Sequence, residues 1–212
     1  MNVVVIGASG MIGTRVVKEL VSRGHKVTAV ARDPSRIPAE RGVTAVKADV
    51  NNDDLAAVIR GNDAVVSAYG PGPGNEQLVI PATQALLTAV KQAGVRRVII
   101  VGGAASLFVA PGITLLNSGH LPEQWQAIAK AHSDLLELLG TTNFAAGLDW
   151  TYLSPAGFIQ PGERTGKFRI AKDDLVVDEK GESRISAEDY AVALVEELER
   201  PQHVRERFTV GY

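Results

Sequence analysis

The chain has 212 residues, 45% of them hydrophobic and 22% charged, which is typical of one globular domain with its own core. Its formal net charge of -2 at pH 7 gives no basic surface for nucleic acid or an anionic membrane. It has no cysteine, which excludes disulfides, thiolate catalysis and cysteine–zinc sites.

The first apolar run, over residues 1–6, is too short for the core of a signal peptide. No stretch approaches the roughly 20 apolar residues of a membrane span. We therefore expect a cytoplasmic protein, a monomer or a dimer, without nucleic-acid or membrane partners.

A glycine-rich turn follows the first predicted strand directly, and a predicted helix follows the turn. Gly7 lets the chain turn sharply, Gly10 lets the backbone approach a diphosphate, and Gly13 lets the helix pack on the sheet. The free N–H groups of the helix start would receive the anion. A tight turn that binds nothing is the alternative. The expected contacts are Gly7, Ser9, Gly10, Met11 and Ile12.

Residues 26–31 predict a second strand, which ends in Arg32. An acidic residue at this point would bind the ribose 2′-hydroxyl of NAD, whereas an arginine can pair with the 2′-phosphate of NADP. Asp33 already lies in the following loop. The position therefore favours NADP over NAD, with a solvated loop arginine as the alternative.

A third strand over residues 42–48 leads into Asp49 and Val50, and a fourth covers residues 63–68. Asp49 is either a ligand contact or the cap of a short helix over residues 55–60, although Asn52 or Asp53 could also cap that helix. The fourth strand is almost wholly apolar, as expected for a strand buried on both faces.

Residues 69–74 are rich in glycine and proline and follow the carboxyl end of the fourth strand. Ligands bind at that edge in open α/β sheets, so Ala68, Tyr69 and Gly70 are expected beside the nicotinamide ribose. A helix over residues 77–93, with Pro81 near its first turn, and a fifth strand over residues 95–101 follow. The alternation predicts a doubly wound parallel sheet, the Rossmann fold, with strand order 3-2-1-4-5-6.

Gly102, an expected cofactor contact, opens a long loop that reaches residue 120. A helix then runs to residue 139, and its apolar stripe comprises Trp125, Ile128, Ala129, His132, Leu135, Leu136 and Leu139. Strands over residues 149–153 and 207–210 enclose a turn-rich excursion over residues 160–185 and a last helix capped by Ser186. We expect one domain over residues 1–212, with residues 104–125 and 156–185 as substrate-side loops.

The glycine spacing resembles that of the short-chain dehydrogenase/reductase superfamily, in its extended and atypical branches. Members carry Tyr-x-x-x-Lys on the helix after the fifth strand, with a serine upstream. Tyr69, Tyr152, Tyr190 and Tyr212 each lack a lysine four residues on. The expected helix has Gln126 four residues before Lys130, and Ser106 lies upstream.

A glutamine does not act as an acid or base at neutral pH, so this departure argues against chemistry that needs a proton relay. Lys130 is either a ribose contact or a solvated helix lysine. His120 is a further candidate proton donor, whereas a histidine at the position of His132 is more often a packing residue. The histidines show no metal-ligand spacing, so no metal site is predicted.

The whole chain resembles an atypical subgroup, the flavin reductase and biliverdin reductase B-like proteins, which includes bacterial candidate NADH-flavin reductases. Six segments carry the resemblance: residues 7–13, 30–36, 47–50, 62–66, 152–157 and 184–189. It implies cofactor contacts in the first four, with Asp49 at the adenine and Val50 beside it. It also implies contacts at Ser154, Pro155, Ala156, Gly157 and Phe158. Residues 103–135 depart from the subgroup.

The sequence thus predicts an NADPH-dependent oxidoreductase that passes hydride to a planar acceptor, such as a flavin or a quinone. Trp125 and Phe158 are expected in the core or in a pocket wall rather than as stacking platforms. Two alternatives stay open: a redox sensor that resembles the NmrA-like proteins and binds the dinucleotide without turnover, and a sugar-nucleotide epimerase or dehydratase.

Overall fold

The computed structural model describes residues 1–51 and 54–212. The five helices of this part of the chain are α1 (Met11–Ser22), α2 (Ala56–Ile59), α3 (Val79–Gln92), α4 (Glu123–Thr141) and α5 (Ala187–Glu199). The first five strands are β1 (Asn2–Ile6), β2 (Lys26–Ala31), β3 (Val43–Lys47), β4 (Ala64–Ser67) and β5 (Arg97–Val101). The later strands are β6 (Phe108–Ala110), β7 (Ile113–Thr114), β8 (Asp149–Ser154), β9 (Phe158–Gln160), β10 (Arg169–Ala171), β11 (Arg184–Ser186) and β12 (Glu206–Gly211).

One eight-stranded sheet organises the described residues, in the order β10-β12-β8-β5-β4-β1-β2-β3. All neighbours are parallel except β10, which pairs antiparallel with β12. The predicted order 3-2-1-4-5-6 is confirmed, with β8 as the sixth strand and β12 and β10 beyond it. The parallel arrangement brings the carboxyl ends of β1, β2, β4 and β5 to one edge, where a ligand site is expected.

The core has two layers because helices cover both faces of the sheet. Val3 and Val5 face the layer formed by α1 and α5, whereas Val4 and Ile6 face the layer formed by α3 and α4. Successive side chains of a strand point to opposite faces, so β1 is apolar throughout. The wholly apolar β4 is buried for the same reason.

The prediction of a long loop over residues 102–120 is wrong in part, because this segment contains the β6–β7 hairpin. The backbone N–H of Phe108 donates to the Asp173 carbonyl at 2.8 Å, and that of Leu175 donates to the Phe108 carbonyl at 2.9 Å. These bonds join the hairpin to the excursion over residues 160–185. The excursion is itself part of the main sheet through β10.

The ends of several helices differ from the sequence prediction. A 3₁₀ turn over Glu76–Leu78 precedes α3, and Pro81 lies within the first turn of α3, where the missing N–H costs no hydrogen bond. Ser186 caps α5 as predicted, since its hydroxyl accepts a hydrogen bond from the Asp189 N–H at 3.0 Å. The alternative caps of α2, Asn52 and Asp53, lie outside the described residues.

The apolar stripe predicted for α4 is wrong at its first residue. Trp125 is 54% exposed, whereas Ala129, Leu135 and Leu139 are buried. Trp125 lies in the first turn of α4 and is not part of either core layer. Within residues 1–51 and 54–212, no helix combines the length and the apolar character that crossing a bilayer requires.

Candidate cofactor cleft

A cleft of about 420 Å³ lies at the carboxyl edge of the sheet. Its walls come from the ends of β1, β2, β4 and β5 and the turns after β1 to β5, together with the start of α1 and one residue of α4. Twelve of the predicted cofactor residues line it: Gly7, Ser9, Gly10, Met11, Ile12, Arg32, Asp49, Val50, Ala68, Tyr69, Gly70 and Gly102. Residues far apart in the sequence are thus brought together by the parallel topology.

The glycine turn forms one wall of the cleft, and its shape depends on missing side chains. A Cβ on Gly7, whose φ is +78°, would stand 2.4 Å from the Ala68 carbonyl oxygen. A Cβ on Gly13 would stand 2.1 Å from the Gly7 carbonyl oxygen. Any other residue would therefore push α1 away from the sheet and open the turn.

The start of α1 fits a diphosphate. Gly10 is its N-cap and provides no side-chain hydrogen bond, and the first turn carries no acidic residue. The first N–H groups of a helix have no partner within the helix, and the helix dipole favours a negative charge beside them. The donors and the absence of a competing carboxylate both suit an anionic ligand.

Two arginines form the end of the cleft beside β2, namely Arg32 and Arg36. The carboxylate between them is already engaged: Asp33 Oδ1 accepts hydrogen bonds from the Ser35 hydroxyl at 2.6 Å and the Ser35 N–H at 3.1 Å. These bonds, the hydroxyl first, hold the pKa of Asp33 below its ordinary value. The two guanidinium groups at this end therefore outnumber the one ionised carboxylate between them in the sequence. Arg36 belongs to the segment over residues 30–36 in which the resemblance implies cofactor contacts, although the sequence singles out only Arg32 there.

The predicted adenine site is built around Asp49. Its carboxylate accepts hydrogen bonds from the backbone and side-chain N–H groups of Asn51, each at 3.0 Å. The Asn51 amide also donates to the Tyr69 hydroxyl at 3.2 Å. This network connects the turn after β3 to the turn after β4 across the cleft.

The far end of the cleft is formed by Gly102 and His132. Tyr152 lies behind both of them and is fully buried. The Tyr152 hydroxyl accepts a hydrogen bond from the Gly103 N–H at 3.0 Å and donates to the His132 carbonyl at 3.0 Å. Burial lowers the pKa of His132 to about 4, so its imidazole is neutral at physiological pH. The sequence favours a packing role for His132, although a polar side chain on an otherwise apolar helix stripe also indicates a place beside a ligand.

The predicted catalytic residues do not line this cleft. Gln126 is exposed, and the Lys130 side chain is 68% exposed and paired with Asp134 at 2.7 Å. Successive residues of a helix are about 100° apart, so Lys130 lies about 200° from His132. The solvated alternative for Lys130 therefore describes this structure.

The two predicted catalytic residues of the loop are also outside the cleft wall. Ser106 Oγ accepts a hydrogen bond from the Arg207 guanidinium at 3.3 Å. His120 is exposed, and its backbone N–H donates to Ser118 Oγ at 3.1 Å. Both residues follow β5, at the same edge of the sheet as the cleft.

The segment after β8 lies beside the cleft without lining it. Ser154, Pro155 and Ala156 are buried, and among the described residues the Ser154 hydroxyl has no hydrogen-bond partner. Gly157 and Phe158 are exposed, Phe158 by 59%. Phe158 is therefore not in the core. Its place in a pocket wall, and contact of these five residues with a cofactor, stay predictions.

Comparison with protein families gives a match over residues 7–201 to a family described as NAD(P)H-binding. The match begins at the first glycine of the turn and includes every residue of the cleft wall except Ile6. A nicotinamide dinucleotide therefore agrees with the cleft geometry described above.

Three relatives cover nearly the whole chain. The uncharacterised Bacillus subtilis protein YwnB is 41% identical over 99% of this chain and 98% of its own. The crystal structure of a candidate epimerase from Bacteroides thetaiotaomicron is 43% identical, with a TM-score of 0.92, over 100% of this chain and 96% of that one. A candidate NADH-flavin reductase from Streptococcus pneumoniae is 34% identical, with a TM-score of 0.84, over 100% and 99%.

Proposed function

This chain belongs to the NAD(P)H-binding family, and on that premise we propose that it is an NADPH-dependent reductase that passes hydride to a planar acceptor, such as a flavin or a quinone. The observation that carries the proposal is the layout of the cleft. An uncapped helix start lies beside two arginines, and the far end is formed by a glycine and a neutral histidine. The name of the Streptococcus relative agrees with this class of reaction.

The preference for NADPH rests on Arg32 and Arg36. Both line the cleft, and the nearby Asp33 is engaged in its own turn. A guanidinium forms strong, directional hydrogen bonds with a phosphate, whereas NADH offers only a hydroxyl at that point. The arginines therefore favour the phosphorylated dinucleotide.

The choice of a planar acceptor rests on the lack of a side-chain proton donor at the far end of the cleft. Of the two described residues that form the far end of the cleft, Gly102 and His132, only His132 has a titratable side chain. Its imidazole is neutral at physiological pH. Reducing a ketone to an alcohol requires a placed proton donor, whereas a flavin or quinone can take its proton from water. A planar acceptor suits a cleft of this kind.

The chain's own residues would each have a defined task. The N–H groups at the start of α1 bind the diphosphate, and Arg32 and Arg36 bind the 2′-phosphate. At the far end, His132 provides a hydrogen-bonding group beside the nicotinamide ribose. When bound, the reduced nicotinamide supplies the hydride.

Turnover tests the proposal directly. Purified protein is mixed with NADPH and, in separate reactions, FMN, riboflavin or a water-soluble quinone, and loss of the reduced-nicotinamide absorbance is followed. We expect oxidation of NADPH with at least one acceptor, and slower oxidation of NADH. Tight NADPH binding with no turnover on any of these acceptors would count against a reductase.

A redox sensor is the second candidate, and one observation favours it: Ser106, Gln126, Lys130 and His120 all lie outside the cleft wall. A sensor binds the dinucleotide and reports its presence to a partner. Calorimetry with NADP⁺ and NADPH separates the two candidates. Similar affinities for both forms, together with no turnover, would favour the sensor.

The epimerase alternative has the name of the Bacteroides relative in its favour. Such chemistry needs an acid–base group beside the nicotinamide, and a neutral histidine with a pKa of about 4 is a poor proton donor. We therefore place it behind the other two.

A further inference from the structure

Resting on the proposed function, we propose that Tyr152 is a positioning residue for the cleft. It fixes the His132 imidazole in the Nδ1–H tautomer, so that Nε2 faces the cleft as a hydrogen-bond acceptor for a sugar hydroxyl. The missing tyrosine of the α4 helix is thus replaced by a tyrosine of β8, which acts through a histidine and does not itself touch the ligand.

The hydrogen bonds of the Tyr152 hydroxyl determine the tautomer. A phenol has one proton and two lone pairs. Its oxygen lies 3.0 Å from the Gly103 nitrogen, 3.0 Å from the His132 carbonyl oxygen and 3.3 Å from His132 Nδ1. The Gly103 N–H occupies one lone pair, and the carbonyl, which cannot donate, takes the phenol proton. The remaining lone pair then accepts a proton from Nδ1.

The Tyr152 ring is held rigidly, which makes it suitable for this task. A Cβ added to Gly102 would stand 2.1 Å from the ring, so the ring fills the space that the glycine leaves. Tyr152 is also paired in the sheet with Arg207 of β12, whose guanidinium donates to Asp173 and Ser106. Side chains locked by packing orient their partners more precisely than exposed ones do.

Because Nδ1 lies against the Tyr152 hydroxyl, we assign the other ring nitrogen of His132 to the ligand. His132 lines the cleft, and within residues 1–51 and 54–212 the hydrogen bond of its ring is at Nδ1, which leaves Nε2 for a ligand. A neutral imidazole protonated at Nδ1 has a lone pair at Nε2. It therefore accepts a hydrogen bond from a hydroxyl, whereas the lysine that the superfamily places on this helix can only donate.

The experiment compares Tyr152→Phe with Tyr190→Phe. Tyr190 is a matched control, since it is fully buried and its hydroxyl donates to the Leu153 carbonyl at 2.6 Å, in the core layer formed by α1 and α5. Nitrogen-15 NMR of the histidine rings reports the tautomer, and fluorescence titration reports the NADPH dissociation constant. Both are measured for wild type and for each variant.

In wild type we expect the Nδ1–H pattern for His132. In Tyr152→Phe we expect a shift toward the Nε2–H tautomer and about a tenfold weaker NADPH affinity, on the order of one lost hydrogen bond and one unpaired N–H. Tyr190→Phe should keep the wild-type His132 spectrum and affinity. His132→Gln combined with Tyr152→Phe should bind NADPH no more weakly than the His132→Gln single variant.

An Nε2–H tautomer in wild type would overturn the proposal, and this measurement needs no variant to fold. An unchanged His132 spectrum in Tyr152→Phe, or equal losses in both phenylalanine variants, would overturn it as well. If wild type bound no dinucleotide, the proposed function would fail, while the NMR tautomer would still decide the role of Tyr152.

Discussion

Gly13 lies directly against the carbonyl of Gly7: a Cβ at residue 13 would stand 2.1 Å from that oxygen. The first turn of α1 therefore touches the end of β1 through backbone atoms alone. This contact holds the helix start at the wall of the cleft, where its N–H groups are available to an anion.

Gly13→Ala should weaken both folding and NADPH binding. The added methyl must displace backbone, so we expect a loss of about 2–4 kcal/mol in the free energy of unfolding. Chemical denaturation and NADPH titration measure the two effects. Gly140→Ala is the control, because residue 140 is in α4 and a Cβ there meets nothing within 4 Å. Helix propensity predicts a gain of up to about 1 kcal/mol for it.

Arg32→Ala should weaken the affinity for NADPH without weakening the affinity for NADH. We expect about a tenfold or greater loss of NADPH affinity, the size of one charge-assisted contact, and little change for NADH. Arg36→Ala should act in the same direction, because both arginines line the same end of the cleft. Arg60→Ala, at an exposed arginine after α2, should change neither affinity. Equal losses for NADPH and NADH would contradict a 2′-phosphate site.

The two candidate ribose contacts of α4 should behave differently. Lys130→Ala removes an exposed ion pair with Asp134 and should change NADPH affinity by less than about twofold. His132→Ala removes a cleft residue and should weaken NADPH by about three- to tenfold. Fluorescence titration of both variants checks this. A larger effect at Lys130 than at His132 would favour the superfamily pattern over the observed helix face.

The pKa of His132 predicts a pH dependence of stability. Burial lowers it from 6.5 to about 4, so between these values the unfolded chain binds more protons than the folded one. Stability therefore falls as the pH drops from about 6.5 to about 4. The contribution of this one group is at most about 1.4 kcal/mol per pH unit.

The slope of unfolding free energy against pH reports how many more protons the unfolded chain binds than the folded one. His132→Gln should lower that number by up to one between pH 6.5 and 4. Urea denaturation at several pH values measures the slope. His120→Gln is the control, because His120 is exposed. Equal slopes for His132→Gln and His120→Gln would show that His132 is not buried in its neutral form.

Arg164 lies outside the cleft wall, and Arg164→Gln should lower the free energy of unfolding. Glu19 of α1 is buried and accepts hydrogen bonds from Arg164 at 2.7 and 2.8 Å and from Arg23 at 2.7 Å. The bond from Arg164 lowers the pKa of Glu19, although burial raises it. Arg23 remains as a partner and Arg164 is half-exposed, so we expect a loss of about 1–2 kcal/mol.

Thermal and urea unfolding of Arg164→Gln test this expectation. The control is Lys172→Gln, which breaks an ion pair with Glu206 that is exposed on both sides. That variant should lose less than about 0.5 kcal/mol. If the two variants lost the same amount, Glu19 would gain nothing from the excursion packed against it.

The strand–turn–helix at the N-terminus, the sheet order and the Ser186 cap could all be predicted from the sequence. Each depends on neighbouring residues: β-branched runs, glycines where the backbone must turn, and a serine three residues before an acid. The same local signals placed twelve of the predicted cofactor residues at the carboxyl edge, because parallel strands end there together.

The face that α4 turns toward the cleft was decided only by the tertiary structure. Gln126 and Lys130 have the spacing that the superfamily pattern predicts. That spacing stays the same however the helix is rotated about its axis. Packing against the sheet turns His132, rather than Lys130, toward the cleft. Trp125, Phe158 and the β6–β7 hairpin belong to the same class. The hairpin is joined to residues 173–175 and Phe158 is paired with Arg184, and no local pattern records such distant contacts.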